Sequence, residues 1–202
     1  MEYRSVGNRI AVILDSLKLK ISDQEIIAIL TQKGFKVIEV ELITLARQCI
    51  GVSQYRRGAK LSEAPAVVDC SGFNKWVHGR LGIWIPRRSI QQRELGEVIQ
   101  LHDINEGDVA FASGAIDYFD DEPGDGVGHV GIATGGGTII HAANKEVGVV
   151  ESTIDNFFGE KGFRGLRRYI PRGIKVLTLE IPPGIDVETS DDLRWIVLRS
   201  LH

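Results

Sequence analysis

The chain has 202 residues, of which 43% are hydrophobic and 25% are charged, and its formal net charge is −3. This length suits one globular domain with some accessory chain, and it is enough to bury a core without covalent staples. The charge argues against nucleic acid or an anionic membrane as a partner, and no apolar run reaches the roughly 20 residues of a transmembrane helix.

The first 40 residues are predicted to form an accessory unit. The apolar run at 10–17 is interrupted by an aspartate and lacks a small-residue cleavage site, so we expect no signal peptide, and the sequence leaves the compartment open. Ser22 and Glu25 have the spacing of a capping box at a helix start. The run FKVIEV (35–40) then predicts a short strand.

The two cysteines of the chain have different predicted settings, and their spacing suits no disulfide framework. Cys49 lies on the apolar face of a helix predicted over residues 41–51, so we interpret it as a core residue. Cys70 follows a strand-like run and directly precedes SGFNKWV (71–77), which predicts a helix. Unpaired N–H groups at a helix N-terminus favour an anion, so a lowered thiol pKa and a reactive thiolate are expected for Cys70. The alternative for Cys70 is a small buried hydrophobic residue.

From about residue 106 the chain consists of short β-type runs separated by glycine-rich turns. Short turns predict an antiparallel sheet, and helices followed by a strand meander predict an α+β fold. Two runs, GHVGIATG and TIIHAAN, carry His129 and His141 and are joined by the three glycines 135–137. A connection with an odd number of residues places both imidazoles on one face of the ladder, with a floor of small residues, whereas an even one separates them.

The Cys70 thiol and a histidine together suggest nucleophilic catalysis. One imidazole would take the thiol proton and later protonate the leaving amine. The second imidazole would orient the first through a ring nitrogen, a task that Asn or Asp performs in other enzymes. On this interpretation His129 is the base and His141 is the orienting group.

The remaining sequence predicts one further strand in KVLTLEI (175–181) and a capped helix at 190–201. The expected organisation is an N-terminal accessory segment at 1–40, a catalytic domain at 41–172 and a strand–helix extension at 173–202.

Several stretches between residues 41 and 170, taken in order, resemble the NlpC-type cell-wall cysteine peptidases, a family of the papain-like superfamily. They are GVSQYRRGAKLSEAPAVVDCSGFNKWV, IPRRSIQQRELG, INEGDVAFASG, GHVGIATGGGTIIHAA and LRRYI. The resemblance implies a papain-like α+β core, in which helices that include the nucleophile helix pack on an antiparallel sheet.

The resemblance also implies roles for individual residues. Cys70 would be the nucleophile, His129 the base and His141 the polar third member. Tyr55, in SQYRRGAK, corresponds to a family tyrosine whose hydroxyl helps to stabilise the oxyanion, although this loop lacks the proline and one glycine of the family pattern. No cofactor and no metal are implied.

The substrate implied by the resemblance is a bacterial peptidoglycan stem peptide, cut commonly at the γ-D-glutamyl to diamino-acid bond. Family members usually act in the cell envelope or are secreted. Arg87 and Arg88 are candidate partners of a substrate carboxylate, and Asp69 and Ser71 are further candidate substrate-binding residues. The acidic segment 116–126 is a candidate partner of a free ammonium and lacks the spacing of an EF-hand. The oligomeric state is left open.

Three alternatives remain at this point. Cys70, His129 and His141 are chemically acceptable zinc ligands, although the short ligand spacing of structural zinc sites and a fourth ligand are missing. An amidase or acyl transferase of the same superfamily would use the same residues with another acceptor. A binding module with an inactive site would need none of this chemistry.

Overall fold

The computed structural model describes residues 2–114, 126–160 and 162–201. The chain divides into two compact units. The terminal unit comprises Met1–Val40, His78–Trp84 and Arg172–His202, and the central unit comprises Glu41–Val77 and Ile85–Pro171. The division at residues 40 and 172 into accessory segments and a catalytic domain stays a prediction. No helix within the described ranges has the length and apolar character needed to cross a membrane.

The described residues form eleven β-strands and six α-helices. The strands are β1 (Arg9–Val12), β2 (Lys36–Ile38), β3 (Gln54–Tyr55), β4 (Val67–Val68), β5 (Glu97–Ile99), β6 (Val109–Ser113), β7 (Val127–Ala133), β8 (Thr138–Asn144), β9 (Gly148–Thr153), β10 (Phe163–Arg168) and β11 (Leu177–Glu180). The helices are α1 (Asp23–Gln32), α2 (Leu42–Arg47), α3 (Cys70–Arg80), α4 (Ser89–Gln92), α5 (Ile154–Phe158) and α6 (Ser190–Leu198).

The terminal unit contains a three-stranded antiparallel sheet in the order β1-β11-β2. Helix α1 begins with the predicted capping box. The Ser22 hydroxyl accepts a hydrogen bond from the Glu25 N–H at 3.3 Å, and the Glu25 carboxylate accepts one from the Ser22 N–H at 2.8 Å. The predicted strand at 175–181 is present as β11, and the predicted C-terminal helix is present as α6.

The central unit is built on a six-stranded antiparallel sheet in the order β5-β10-β6-β7-β8-β9. Every strand pair in it is antiparallel, so the predicted α+β class with an antiparallel sheet is confirmed. Cys49, which follows α2, is 4% exposed, in agreement with a core role. Together, the helices and this sheet bury the long apolar side chains that alternate along β6, β7 and β8.

A short parallel pair, β3 with β4, lies directly before helix α3. Tyr55 of β3 pairs with Val68 of β4, two residues before Cys70. The strand-like run predicted before Cys70 is present as β4, whereas the two-residue β3 carries no readable periodicity and was not predicted. The pair explains how Tyr55, fifteen positions upstream in sequence, is held next to the start of α3.

Candidate active site

Helix α3 begins at Cys70, which places the thiol at the helix N-terminus as expected. Asp69 caps the helix, because its Oδ1 accepts a hydrogen bond from the Gly72 N–H at 2.7 Å. Phe73 and Val77 are fully buried and anchor the helix, whereas Trp76 is only half-buried. The thiol is therefore attached to an element whose position is fixed by the core.

Arg87 ties the start of α3 to the preceding loop. Its Nη1 donates to Asp69 Oδ1 and to Ser71 Oγ, both at 2.9 Å. Its Nη2 donates to Asp69 Oδ2 at 2.5 Å and to the Ala59 carbonyl at 2.8 Å. Asp69 Oδ2 also accepts from the Gly58 N–H at 3.0 Å. These bonds involve three of the four residues predicted to bind substrate, and a substrate carboxylate would have to share the Arg87 guanidinium with Asp69.

Arg88, the fourth predicted substrate-binding residue, has a different setting. It is exposed and directly precedes α4, and its side chain lies at the cavity that contains Cys70. Gln92, at the end of α4, is fully buried and donates to the carbonyls of Ser71 and Pro86 at 3.0 and 2.9 Å. This buried amide fastens α4 to the start of α3, and no motif in the sequence indicated it.

The two histidines are in direct contact. His129 Nε2 lies 2.8 Å from His141 Nδ1, and the ring centroids are 4.9 Å apart with an interplanar angle of 84°. In the β7–β8 ladder Ala133 pairs with Ile139, a register that puts both histidines on one face, one step apart diagonally. The same-face arrangement expected for an odd connection is therefore confirmed.

A β-bulge at Gly128 brings β7 to the Cys70 thiol. Ala112 of β6 pairs with His129, but Ser113 pairs with Val127, so Gly128 is an extra residue. Its carbonyl oxygen lies 4.0 Å from Cys70 Sγ. The bulge therefore places the residue next to His129 in contact with the thiol.

The face of the sheet that carries the histidines has small residues, as expected, and the bulky group that packs on it comes from α5. The Phe157 ring centroid lies 5.4 Å from that of His129 and 5.0 Å from that of His141. A Cβ on Gly131 would lie 3.0 Å from the Phe157 ring and 2.4 Å from Ile139. Gly131 therefore leaves room for Phe157, whose contact with both imidazoles the sequence did not reveal.

The expectation of a lowered thiol pKa was wrong in direction. Burial raises the pKa of Cys70 to about 11, and the negative charge of Asp69 acts in the same sense. The N–H groups of Ser71 and Val130 and the Arg87 guanidinium lower it, but they do not outweigh desolvation. The helix N-terminus is present, but the thiol is only 9% exposed, and loss of hydration decides the sign.

Burial acts on the two imidazoles in the corresponding way. It lowers the pKa of His129 to about 4. It lowers the pKa of His141 to about 3, with a smaller contribution from the neighbouring His129. Both shifts favour the uncharged forms, a neutral thiol and a neutral imidazole.

Cys70 and His129 line a cavity of about 1120 Å³ in the central unit, together with Tyr55. Burial raises the pKa of Tyr55, and the charge of Cys70, once it is ionised, and that of Asp69 act in the same direction. The structure thus brings Cys70, His129 and Tyr55 to one cavity and His141 behind His129. The cavity is also lined by charged side chains, namely Arg57, Lys60, Asp69, Arg87 and Arg88.

Two further expectations concern other groups. The acidic segment 116–126 lies, apart from Gly126, outside the described residues. Among the residues that the structure does describe, no group of three or more His, Cys, Asp or Glu side chains is arranged to hold a metal ion.

Comparisons with known proteins agree with the geometry. The family model NlpC/P60 matches residues 51–168. A probable endopeptidase from Corynebacterium glutamicum is 37% identical over 115 residues, which cover 56% of this chain and 47% of the relative. The gamma-DL-glutamyl hydrolase of Bacillus subtilis is 31% identical over 132 residues, which cover 65% of this chain and 29% of the relative. The matched region thus spans less than half the length of these relatives.

Solved structures show the same fold. The structure of NlpC1 from Trichomonas vaginalis superposes with a TM-score of 0.53 at 27% identity, covering 63% of this chain and 42% of that one. The P60 domain of an antigen from M. avium subspecies paratuberculosis superposes with a TM-score of 0.51 at 23% identity, covering 64% of this chain and 93% of that domain. With the family model matched over more than half of its residues, the chain belongs to the NlpC/P60 family.

Proposed function

We infer that the central unit is a cysteine peptidase that hydrolyses an amide bond in bacterial peptidoglycan stem peptides. The observation that carries this proposal is the cavity that Cys70 shares with His129, whose imidazole is held from behind by His141 at 2.8 Å. The expected scissile bond is γ-D-glutamyl to a diamino acid. The names endopeptidase and gamma-DL-glutamyl hydrolase, carried by two relatives, support this substrate class.

The chemistry begins with proton transfer from the Cys70 thiol to neutral His129. The sulfur attacks the amide carbon, and the carbonyl electrons move to oxygen. His129 then gives its proton to the leaving amine, the C–N bond breaks, and a thioester on Cys70 remains. Water, deprotonated by His129, attacks the thioester and releases the carboxylate product, while the proton returns to the sulfur. Because the thiol is neutral at rest, His129 acts as a general base in the first step.

The oxyanion of the tetrahedral intermediate would be stabilised by the Cys70 backbone N–H at the start of α3 and by the Tyr55 hydroxyl. A donor of this kind contributes about 3–4 kcal/mol to transition-state stabilisation. The pairing of β3 with β4, which sets Tyr55 beside the start of α3, supports this assignment.

The charged wall of the cavity suits an anionic peptide. Arg57, Lys60 and Arg88 bring positive charge to it, and Arg87 is compensated by Asp69. A stem peptide carries free carboxylates, and a guanidinium pairs well with such a group. Arg88 is therefore the proposed carboxylate partner. Arg87, Asp69 and Ser71 would affect the substrate indirectly, because they hold the start of α3 in position.

The test is digestion of defined muropeptides by the wild-type protein and by Cys70→Ala, with products identified by mass spectrometry. We expect cleavage at one stem-peptide amide by the wild type and none by the variant. Addition of an amine acceptor separates hydrolysis from acyl transfer, because a transferase would give the amide of the added amine. Intact substrate after incubation with folded wild-type protein would contradict the proposal and would favour a binding module.

A further inference from the structure

The hydrogen bonds that begin at His129 continue past His141. Nε2 of His141 lies 3.0 Å from Ser152 Oγ. Ser152 stands on β9 opposite Ile139 of β8, so its side chain is on the same face of the sheet as both imidazoles. A row of polar groups therefore crosses three neighbouring strands, β7, β8 and β9.

The hydrogen bonds in this row determine which ring nitrogen of each histidine carries a proton. A neutral His129 that serves as base through Nδ1 carries its proton on Nε2. That Nε2–H donates to Nδ1 of His141, which must then be bare, so the proton of His141 stands on Nε2. The hydroxyl of Ser152 is the acceptor in reach of that proton.

We propose that Ser152 is a positioning residue, which accepts a hydrogen bond from His141 Nε2 and thereby holds both imidazoles in the tautomers with a bare Nδ1. This inference rests on the proposed function, since it takes His129 Nδ1 as the base. In the reverse arrangement Ser152 donates, and His141 Nδ1–H donates to His129 Nε2. The proton of His129 then stands on Nδ1, where it prevents proton transfer from Cys70.

The Ser152 hydroxyl is important because the imidazoles it supports are buried. Phe157 packs against both rings, and His141 is 7% exposed. A buried N–H that loses its partner costs the desolvation free energy of the group. Without the Ser152 hydroxyl, the favourable response of His141 is to move its proton to Nδ1 and donate to His129, which is the unproductive arrangement.

The test combines the ¹⁵N spectrum of the histidine ring nitrogens with steady-state kinetics. In the wild type we expect His129 and His141 to be protonated on Nε2. In Ser152→Ala we expect both to shift toward the Nδ1-protonated tautomer, and kcat to fall about tenfold at nearly unchanged KM, as for one lost hydrogen bond in the reaction. Ser152→Thr keeps the hydroxyl and should restore kcat to within about threefold of wild type.

The matched control is Glu151→Gln on the same strand. Glu151 pairs with Ile140 and bonds Arg47 and Thr138, so it lies on the opposite face. This change should lower stability slightly and leave both the tautomers and kcat as they are.

Two results would overturn the role of Ser152. One is a wild-type spectrum in which His141 is protonated on Nδ1, a result that stands even if Ser152→Ala does not fold. The other is a folded Ser152→Ala with wild-type tautomers and kcat. A wild type that fails to cleave muropeptides contradicts the proposed function. The spectrum needs no substrate, so it tests the role of Ser152 independently of that result.

Discussion

The two walls of the cavity hold their reactive groups in different ways. The wall with Cys70 is held by ions, because Arg87 and Asp69 brace the start of α3 with hydrogen bonds. The wall with His129 is held by neutral groups, namely a second imidazole and an aromatic ring. The ionic wall fixes a backbone position, and burial in the neutral wall favours unprotonated His129.

The largest expected effect comes from the neutral wall. His129→Ala removes the base, and kcat should fall about a thousandfold or more, as for loss of a member of a catalytic triad. Combined with Cys70→Ala it should add little, because the two groups act in one step. A muropeptide cleavage assay measures this, and activity within tenfold of wild type would show that His129 is not the base.

The next effect concerns Tyr55, which also lines the cavity. Tyr55→Phe removes one proposed oxyanion donor, and kcat should fall about a hundredfold with little change in KM. Thermal unfolding of the variant is the control, since the ring and its packing are retained. An unchanged kcat would show that the Tyr55 hydroxyl does not stabilise the oxyanion.

The ionic wall is tested by comparing two adjacent arginines. Arg87→Met leaves Asp69 without its counter-charge and should reduce the free energy of unfolding by about 2 kcal/mol, less than for a fully buried pair because Arg87 is partly exposed. Arg88→Met should cost less than about 0.5 kcal/mol but raise KM about tenfold, as for one lost charge-assisted contact. Denaturant unfolding and kinetics measure both. If Arg87→Met instead raises KM without loss of stability, the assignment of the two residues is reversed.

The last effect is a pH dependence set by the neutral wall, which is small near pH 7 and accumulates below pH 6.5. The pKa values of His129 and His141 are about 4 and 3 in the folded chain, against about 6.5 when unfolded. The unfolded state therefore binds more protons below pH 6.5, and stability should fall between pH 6.5 and 4 by up to about 1.4 kcal/mol per pH unit for each group. Activity should persist below pH 6, because folded His129 stays neutral there, and it should decline near pH 4 as His129 is protonated.

One substitution makes this pH dependence specific. His141→Gln should flatten the slope of unfolding free energy against pH. An equal slope in the wild type and the variant would show that His141 is not a buried neutral group.

The sequence predicted the parts of this site that local pattern encodes. The period-two alternation of β7 and β8 predicted that an odd connection would put His129 and His141 on one face, and the observed register decided between the odd and the even case. The helix signal after Cys70 placed the thiol at an N-terminus. The predicted domain boundaries and the catalytic roles of the site residues remain predictions.

Other features depend on distant packing, which a single sequence does not display. The pKa of Cys70 follows from how deeply the thiol is buried, and one of the groups in contact with it is the carbonyl of Gly128, on another strand. Phe157 reaches the imidazoles from α5, across the sheet face, and Ser152 reaches His141 only through the β8–β9 register. The alternation in GVVEST does not determine which residue of the adjacent strand lies next to Ser152.

The most direct test of the account is to trap the thioester. The wild-type protein is mixed with a defined stem peptide and quenched in acid, and the peptide that contains Cys70 is examined by mass spectrometry. The account predicts a mass increase equal to the acyl part of the stem peptide, located on Cys70 and absent when His129 is replaced by Ala. An acyl group on another residue, or product formed by Cys70→Ala at the wild-type rate, would contradict it.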